Sequence, residues 1–131
     1  MIVVDASAIV ELITDEGGAS ARVAAELDAD AEWACPEHAL LEAASALRGL
    51  WLGGRSSRSE FEARIDVLTR LHVHPVPTGP LLARIGELAA NATTYDAAYL
   101  AAAERLGIPL VTIDHKLTGV PGIRAEIRVI G

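Results

Sequence analysis

The sequence lacks what a disulfide, a zinc site or a membrane span would require. It contains a single cysteine, Cys35, with no second cysteine for a disulfide and no Cys or His at zinc-binding spacing. Its apolar runs, such as MIVV and IPLVTI, are far shorter than the roughly 20 residues that cross a bilayer. No charged-then-apolar leader opens the chain. We therefore expect a soluble cytoplasmic protein in which Cys35 is a small buried hydrophobe.

Aromatic residues and nucleotide-binding motifs are also scarce. Only 4% of the 131 residues are aromatic although 51% are hydrophobic, so the core must consist mainly of Ala, Leu, Val and Ile. The patterns GxxxxGK and GxGxxG do not occur, so nothing indicates a nucleotide cofactor. The length suits one domain, and we expect residues 1–131 to form it.

One segment of an otherwise acidic chain carries a net positive charge. The formal net charge is −7, which repels nucleic acid at long range and argues against a non-specific polyanion binder. Residues 48–70 are the exception, with five arginines against three acids. A solvated helical face is the commoner explanation of such clustering, but this segment could also attract phosphate.

Short apolar segments alternate with helical patterns along the chain. The predicted strands are IVV (2–4), EWAC (32–35), VHPV (73–76), PLVTI (109–113) and EIRVI (126–130). Helices are predicted over 6–13, 19–27, 36–52, 78–90 and 94–106, and after Ser57, which forms a capping box with Glu60. Pro36 is expected in the first turn of the third helix, and Thr78 as the cap of the fifth. This alternation indicates a three-layer α/β/α fold with about five parallel strands.

Four acids converge on one edge of this predicted sheet. Asp5 follows the first strand and Asp114 follows PLVTI, so both lie at carboxyl ends of parallel strands. Only residues 107–109 separate the helix that carries Asp96 from the fourth strand, so that helix runs antiparallel to the strand and begins at the same edge. Glu42 lies in the second turn of the helix that leaves the second strand. Since ligands bind where such strands end, we expect a site there.

Each acid also has an ordinary structural interpretation. Asp96 could be a favourable acid in the first turn of its helix, although a helical wheel places it on the core side. Asp5 and Asp114 could cap the elements that follow them, and Glu42 could be a solvent-facing side chain. Ser7 could orient Asp5 or cap the first helix, and we expect capping. The joint arrangement of the acids favours a functional site.

Four carboxylates at one edge would repel one another, and some would be protonated unless cations sat among them. Oxygen ligands suit Mg²⁺, with Mn²⁺ as a substitute, and water completes the octahedron. Such a centre can produce a hydroxide near neutral pH and stabilise an in-line displacement at phosphorus. The chemistry indicated is hydrolysis of a phosphodiester or phosphomonoester.

Three segments carry these acids: VVDASAIVELI, PEHALLEAASALRGL and TTYDAAYLAAAERLGIPLVTIDHKL. They resemble the successive motifs of PIN domains, specifically the VapC group of bacterial toxin ribonucleases, over almost the whole chain. The resemblance implies a catalytic, metal-binding set of Asp5, Glu42, Asp96 and Asp114, with Thr112 as the hydroxyl residue before the last acid. It also implies Mg²⁺-dependent endonucleolytic cleavage of RNA, a homodimer, and neutralisation by a cognate VapB-type antitoxin.

Two other interpretations stay open. One is a different acid-site phosphohydrolase, but such enzymes usually present DxD after the first strand, where this chain has Ser7 in the second acidic position. The other is a catalytically silent PIN module that keeps the acids only to bind an antitoxin. The presence of all four acids argues against the silent module, and the resemblance then implies a ribonuclease that hydrolyses RNA phosphodiester bonds with metal-activated water.

Overall fold

The computed structural model describes residues 1–30 and 32–131 and contains one five-stranded parallel sheet. Its strands are β1 (Ile2–Val4), β2 (Trp33–Pro36), β3 (Val73–Val76), β4 (Leu110–Thr112) and β5 (Ile127–Val129). The helices are α1 (Ala6–Thr14), α2 (Ser20–Asp28), α3 (Ala39–Leu52), α4 (Arg58–Arg70), α5 (Leu82–Leu88) and α6 (Thr94–Leu106). A short 3₁₀ turn at Gly79–Leu81 precedes α5, and a second one at His115–Gly119 follows β4.

The strand order β3-β2-β1-β4-β5 places β1 at the centre of the sheet. Val3 pairs in parallel with Ala34 of β2 on one side and with Leu110 of β4 on the other. The chain leaves β1 toward β2 and later crosses to β4, so the connections diverge on either side of β1. Open α/β sheets bind ligands beyond the carboxyl ends of their strands at such a point.

Small side chains bring the helices close to the sheet. Helix α6 is buried without interruption over residues 97–103, of which five are alanine, and it packs on β1, β2 and β4. Helix α5 packs on α6, while α1 contacts α2 and α3, and α3 contacts α4. The predicted three-layer α/β/α fold with an aliphatic core is confirmed. Within residues 1–30 and 32–131, no helix is long and apolar enough to cross a membrane.

Two predicted helix starts are wrong. Pro36 is the last residue of β2, and α3 begins only at Ala39. The pairing of β2 with β1 ends at Ala34. Pro36, which has no N–H, therefore removes no hydrogen bond between β2 and β1. Thr78 does not cap a helix. Its N–H and hydroxyl both donate to Glu37 Oε2, at 3.1 and 2.8 Å, and a 3₁₀ turn precedes a shorter α5.

Cys35 is the small buried hydrophobe that the sequence predicted. It is 1% exposed, and its Sγ donates to the carbonyl of Val4 at 3.3 Å. Burial raises the pKa of the Cys35 thiol to about 12. The thiol therefore stays protonated and serves packing.

The start of α4 depends on the predicted capping box. Ser57 Oγ accepts from the N–H of Glu60, and Glu60 Oε1 accepts from the N–H of Ser57, both at 3.0 Å. We predict that Ser57→Ala lowers the free energy of unfolding by about 1 kcal/mol, as measured by urea denaturation. The matched control is Ser59→Ala, inside the same helix and exposed, which should change it by less than about 0.5 kcal/mol. Equal effects would contradict the capping role.

Candidate active site

Asp5 is a buried carboxylate at the carboxyl end of the central strand. Its exposed fraction is 5%, and its backbone N–H donates to the carbonyl of Val111 in β4 at 2.9 Å. Asp5 occupies the N-cap position of α1, but its side chain makes no capping hydrogen bond to the described residues. The alternative in which Asp5 simply caps α1 is therefore wrong.

Two hydroxyl groups hold the same oxygen of Asp5. Ser7 Oγ and Thr112 Oγ1 each donate to Asp5 Oδ2 at 2.6 Å. In turn, Thr112 Oγ1 accepts from the N–H of Asp114 at 2.9 Å, and Ser7 Oγ accepts from the N–H of Ile113 at 3.3 Å. The expected capping role of Ser7 is wrong, because Ser7 lies inside α1, two residues past the N-cap. Its hydroxyl orients Asp5 instead.

Asp114 and Asp96 reach the same edge from two further elements. Asp114 precedes the second 3₁₀ turn, and its Oδ1 accepts from the N–H of Lys116 at 2.9 Å. Asp96 lies in the first turn of α6, where Thr93 Oγ1 accepts from the N–H of Asp96 at 3.1 Å and forms the cap. Burial, followed by the charges of Asp5 and Asp114, raises the pKa of Asp96, and Lys116 partly opposes the shift. The acids are thus near enough to repel one another.

Glu42 approaches the site from α3. It lies in the first turn of that helix rather than the predicted second, because α3 starts at Ala39. Its side chain is 37% exposed. Burial, then the charge of Asp5 and more weakly that of Asp96, raises the pKa of Glu42. The structure therefore brings the four predicted acids into one electrostatic neighbourhood.

Two aromatic residues beside Glu42 were missed by the sequence reasoning. The fully buried Tyr99 accepts from the N–H of Ala6 at 3.4 Å and donates to Glu42 Oε1 at 3.3 Å. His38 packs its ring 5.1 Å from that of Tyr99, with Nε2 3.7 Å from Glu42 Oε2, beyond hydrogen-bond distance. Burial lowers the pKa of His38, which favours the neutral imidazole. A signal for Tyr99 was present, since a phenol on the core side of α6 must find a polar partner.

The acids fit a hydrated divalent cation. Among the described residues, Asp5, Asp96 and Asp114 form no ion pair with Lys or Arg. No three His, Cys, Asp or Glu side chains in that same part of the chain form a compact metal-binding group. Mg²⁺ commonly binds through one or two carboxylates and keeps several waters. The oxygen-only donors and their unneutralised charge match that mode better than a closed protein cage.

An apolar groove, here called the α1–α3 groove, opens beside the acids. It has a volume of about 390 Å³, and Ser7 and Glu42 line it together with apolar side chains of α1 and α3 such as Val10 and Leu50. Glu16 on its wall pairs with Arg55 at 2.7 Å. The groove therefore offers apolar contact area next to the charged site.

The arginines of residues 48–70 are mostly paired with acids. Four of the five form ion pairs, namely Arg55 with Glu16, Arg58 with Glu62, Arg64 with Glu60 and Arg70 with Asp66. Three of these pairs are i,i+4 contacts along α4. The segment is thus largely the solvated helical face, and little of its charge is left for phosphate.

Comparison with known proteins identifies the family. The PIN domain family matches residues 2–123. Ribonuclease VapC12 of Mycobacterium tuberculosis (strain ATCC 25618 / H37Rv) is 38% identical over 133 residues, covering 99% of each chain. Ribonuclease VapC1 of the same strain is 35% identical over 129 residues, covering 98% of this chain and 96% of that protein. The chain belongs to the VapC ribonucleases of the PIN family.

The fold of this VapC-family chain is also found in solved structures. VapBC2 from Rickettsia felis, bound to a DNA fragment from its promoter, matches with a TM-score of 0.69 at 14% identity, over 100% of both chains. At this identity the match concerns the fold. The five-stranded sheet with helices on both faces is therefore the PIN-like architecture that the resemblance implied.

The repulsion at the site has a measurable effect on stability. Because the pKa of Asp96 is raised in the folded chain, its ionised form destabilises the fold, and the penalty disappears as pH falls below the ordinary carboxyl pKa. We predict that Asp96→Asn stabilises the chain at pH 7 in EDTA by on the order of 1 kcal/mol, allowing for solvent screening. The gain should vanish below about pH 4.

Thermal unfolding in EDTA at pH 7 and pH 4 measures this effect. The matched control is Asp66→Asn, which removes the same charge from an exposed ion pair with Arg70 and should slightly destabilise the chain. A loss of stability on Asp96→Asn at pH 7 would show that Asp96 is not repelled by its neighbours.

Proposed function

We propose that this chain is a Mg²⁺-dependent endoribonuclease and the toxin of a type II toxin–antitoxin pair. The proposal depends on one observation. Four acids from four parts of the chain meet at the carboxyl ends of the strands, namely Asp5, Glu42, Asp96 and Asp114. The relatives named ribonucleases support RNA as the substrate. We further infer that residues 1–131 act as one PIN domain in the cytoplasm.

The four acids would hold the cation, Mg²⁺ or Mn²⁺ in its place. When bound, the cation polarises the phosphate and lowers the pKa of water. Ser7 and Thr112 fix Asp5 Oδ2, so the orientation of this carboxylate is set before a ligand arrives. The N–H of Asp114 is tied to the same Thr112 hydroxyl. The Asp5 carboxylate and the backbone of Asp114 therefore belong to one hydrogen-bond network, as a preorganised site requires.

Glu42 is the acid best suited to accept a proton from the attacking water. Its carboxylate is half-buried and its pKa is raised, and a higher pKa makes a stronger base. Tyr99 donates to Oε1, so Oε2 would contact the hydrated cation through its water and take the proton of that water. Water would attack the scissile phosphorus as Glu42 takes its proton, the bond to the 3′ oxygen would break, and that oxygen would take a proton from solvent, which leaves a 5′-phosphate and a 3′-hydroxyl.

A cognate VapB-type antitoxin is the proposed protein partner. The α1–α3 groove supports this proposal, because its apolar walls suit a peptide segment and its lining includes Ser7 and Glu42. A segment seated there would cover part of the acid site and so inhibit cleavage. The structural neighbour VapBC2 is such a pair by name. We also propose a homodimer, on the strength of the family resemblance.

Removal of one proposed ligand tests the metal-dependent function. We predict that Asp96→Asn weakens Mg²⁺ binding in calorimetry and slows cleavage of an RNA substrate by on the order of 100-fold, since the cation supplies several kcal/mol to the reaction. Sequencing of RNA 5′ ends after induction, with Asp5→Ala as the inactive control, identifies that substrate. Asp66→Asn should leave both quantities unchanged. Full Mg²⁺-dependent cleavage by Asp96→Asn would remove Asp96 from the site.

The Tyr99 hydroxyl tests the positioning of Glu42. We predict that Tyr99→Phe lowers kcat about tenfold, because Glu42 Oε1 loses the hydrogen bond that fixes the orientation of the carboxylate, while the retained ring keeps the packing of α6. The comparison is Tyr95→Phe, whose hydroxyl contacts none of the four acids in the described hydrogen bonds. Steady-state cleavage kinetics measure the change in kcat, and thermal unfolding shows whether the variant has also lost stability. An unchanged kcat would show that Glu42 needs no support from Tyr99.

A further inference from the structure

One aromatic side chain stands out on the surface. The sequence has two Trp, two Tyr and one Phe, and within residues 1–30 and 32–131 only Tyr95 among them is mostly exposed, at 62%. It directly precedes Asp96 at the start of α6. An exposed phenol ring in a chain with so few aromatics therefore lies immediately beside the acid site.

Tyr95 lines a second hollow, which adjoins the α1–α3 groove at Glu42. The hollow measures about 350 Å³ and is lined by His38, Leu41, Glu42, Ser45 and Tyr95. Leu41 is 75% exposed, so the lining presents apolar surface to solvent on the outer side. Glu42 belongs to both the hollow and the acid site, so a group bound in the hollow lies next to the reacting position.

The aromatic wall of the hollow is supported from within. The ring of His38 lies 5.3 Å from that of Tyr95, tilted by 55°, and 5.1 Å from that of Tyr99 in an edge contact. Tyr99 is fully buried and is held by hydrogen bonds to Ala6 and Glu42. The three rings contact one another in a row that runs from the core to the surface, and this row holds Tyr95 against the site.

The negative charge beside this hollow favours a neutral part of an RNA over its phosphates. Phosphates are repelled by the neighbouring carboxylates and gain little from the paired arginines. A nucleobase is neutral and flat, and unpaired RNA bases are commonly bound by stacking on aromatic side chains. Ser45 adds one hydroxyl to a lining that is otherwise mainly apolar, which can hydrogen-bond to the edge of a base.

We propose that this hollow is a nucleobase-binding subsite, in which Tyr95 stacks on a base of single-stranded RNA next to the scissile phosphate. His38 supports the Tyr95 ring, and Leu41 covers the base from the side. The subsite rests on the proposed ribonuclease function and adds a means of substrate selection to it. It also predicts that the enzyme prefers an unpaired nucleotide at one position beside the cut.

Binding of labelled RNA tests the subsite without cleavage. The protein is the full chain carrying Asp5→Asn, and the probe is a fluorescein-labelled single-stranded RNA that contains the mapped cleavage site, followed by anisotropy in Mg²⁺. Tyr95→Ala should raise Kd about tenfold, the size expected for one lost stacking contact, whereas Tyr95→Phe should stay within about twofold. Leu82→Ala removes an equally exposed side chain, 57% exposed on α5, and should have no effect.

Abasic RNA locates the bound nucleotide. With Tyr95 present, removal of one particular base beside the cut should raise Kd about tenfold. With Tyr95→Ala, removal of the same base should change nothing further. Equal binding by Tyr95→Ala and Tyr95→Phe, or no sensitivity to any single base, would overturn the subsite while leaving ribonuclease function intact.

Two further outcomes would also overturn the subsite. If the chain without Asp5→Asn neither binds nor cuts RNA, the subsite and the ribonuclease proposal both fail. If Tyr95→Ala changes the sedimentation coefficient of the chain, this face is an interface between copies rather than a base-binding surface. Circular dichroism should show that each variant keeps the helical content of the parent chain.

Discussion

The buried carboxylate of Asp5 is the constraint on which the rest of the site depends. A charge held at the end of the central strand is costly unless hydrogen bonds satisfy it, and Ser7 and Thr112 supply two short ones. These hydroxyls also accept from the backbone after β4. The hydrogen bonds to Asp5 therefore connect β1, α1 and the segment that carries Asp114 at the carboxyl ends of the strands.

Close packing keeps the remaining acids near this unit in spite of their repulsion. Helix α6 lies on three strands through small side chains, so its first turn cannot withdraw Asp96 without exposing the core. On the other side, Tyr99 spans from the start of α1 to Glu42 in α3. Packing of the helices thus keeps the carboxylates close together against their mutual repulsion, as is expected of a preorganised cation site.

Connectivity explains how much of the site could be predicted from the sequence. Parallel strands and a three-residue link before β4 suffice to place Asp5, Asp96 and Asp114 on one edge, because these positions depend on chain direction. The roles of Ser7 and Tyr99 depend instead on where α1 begins and on contacts between residues distant in sequence. Pro36 shows the same limit, since proline is compatible with both a helix start and the end of a strand.

On the proposed function, the charge distribution decides which contacts bind RNA. With a net charge of −7 and most arginines of residues 48–70 engaged by acids, long-range attraction to the phosphate backbone is weak. On the proposed function, affinity must therefore come from short-range contacts, namely the cation at the acids and the ring of Tyr95. Stacking on Tyr95 needs an unpaired base rather than a particular one, so on this proposal weak long-range attraction would confine cleavage to RNA that presents an exposed base beside the cut.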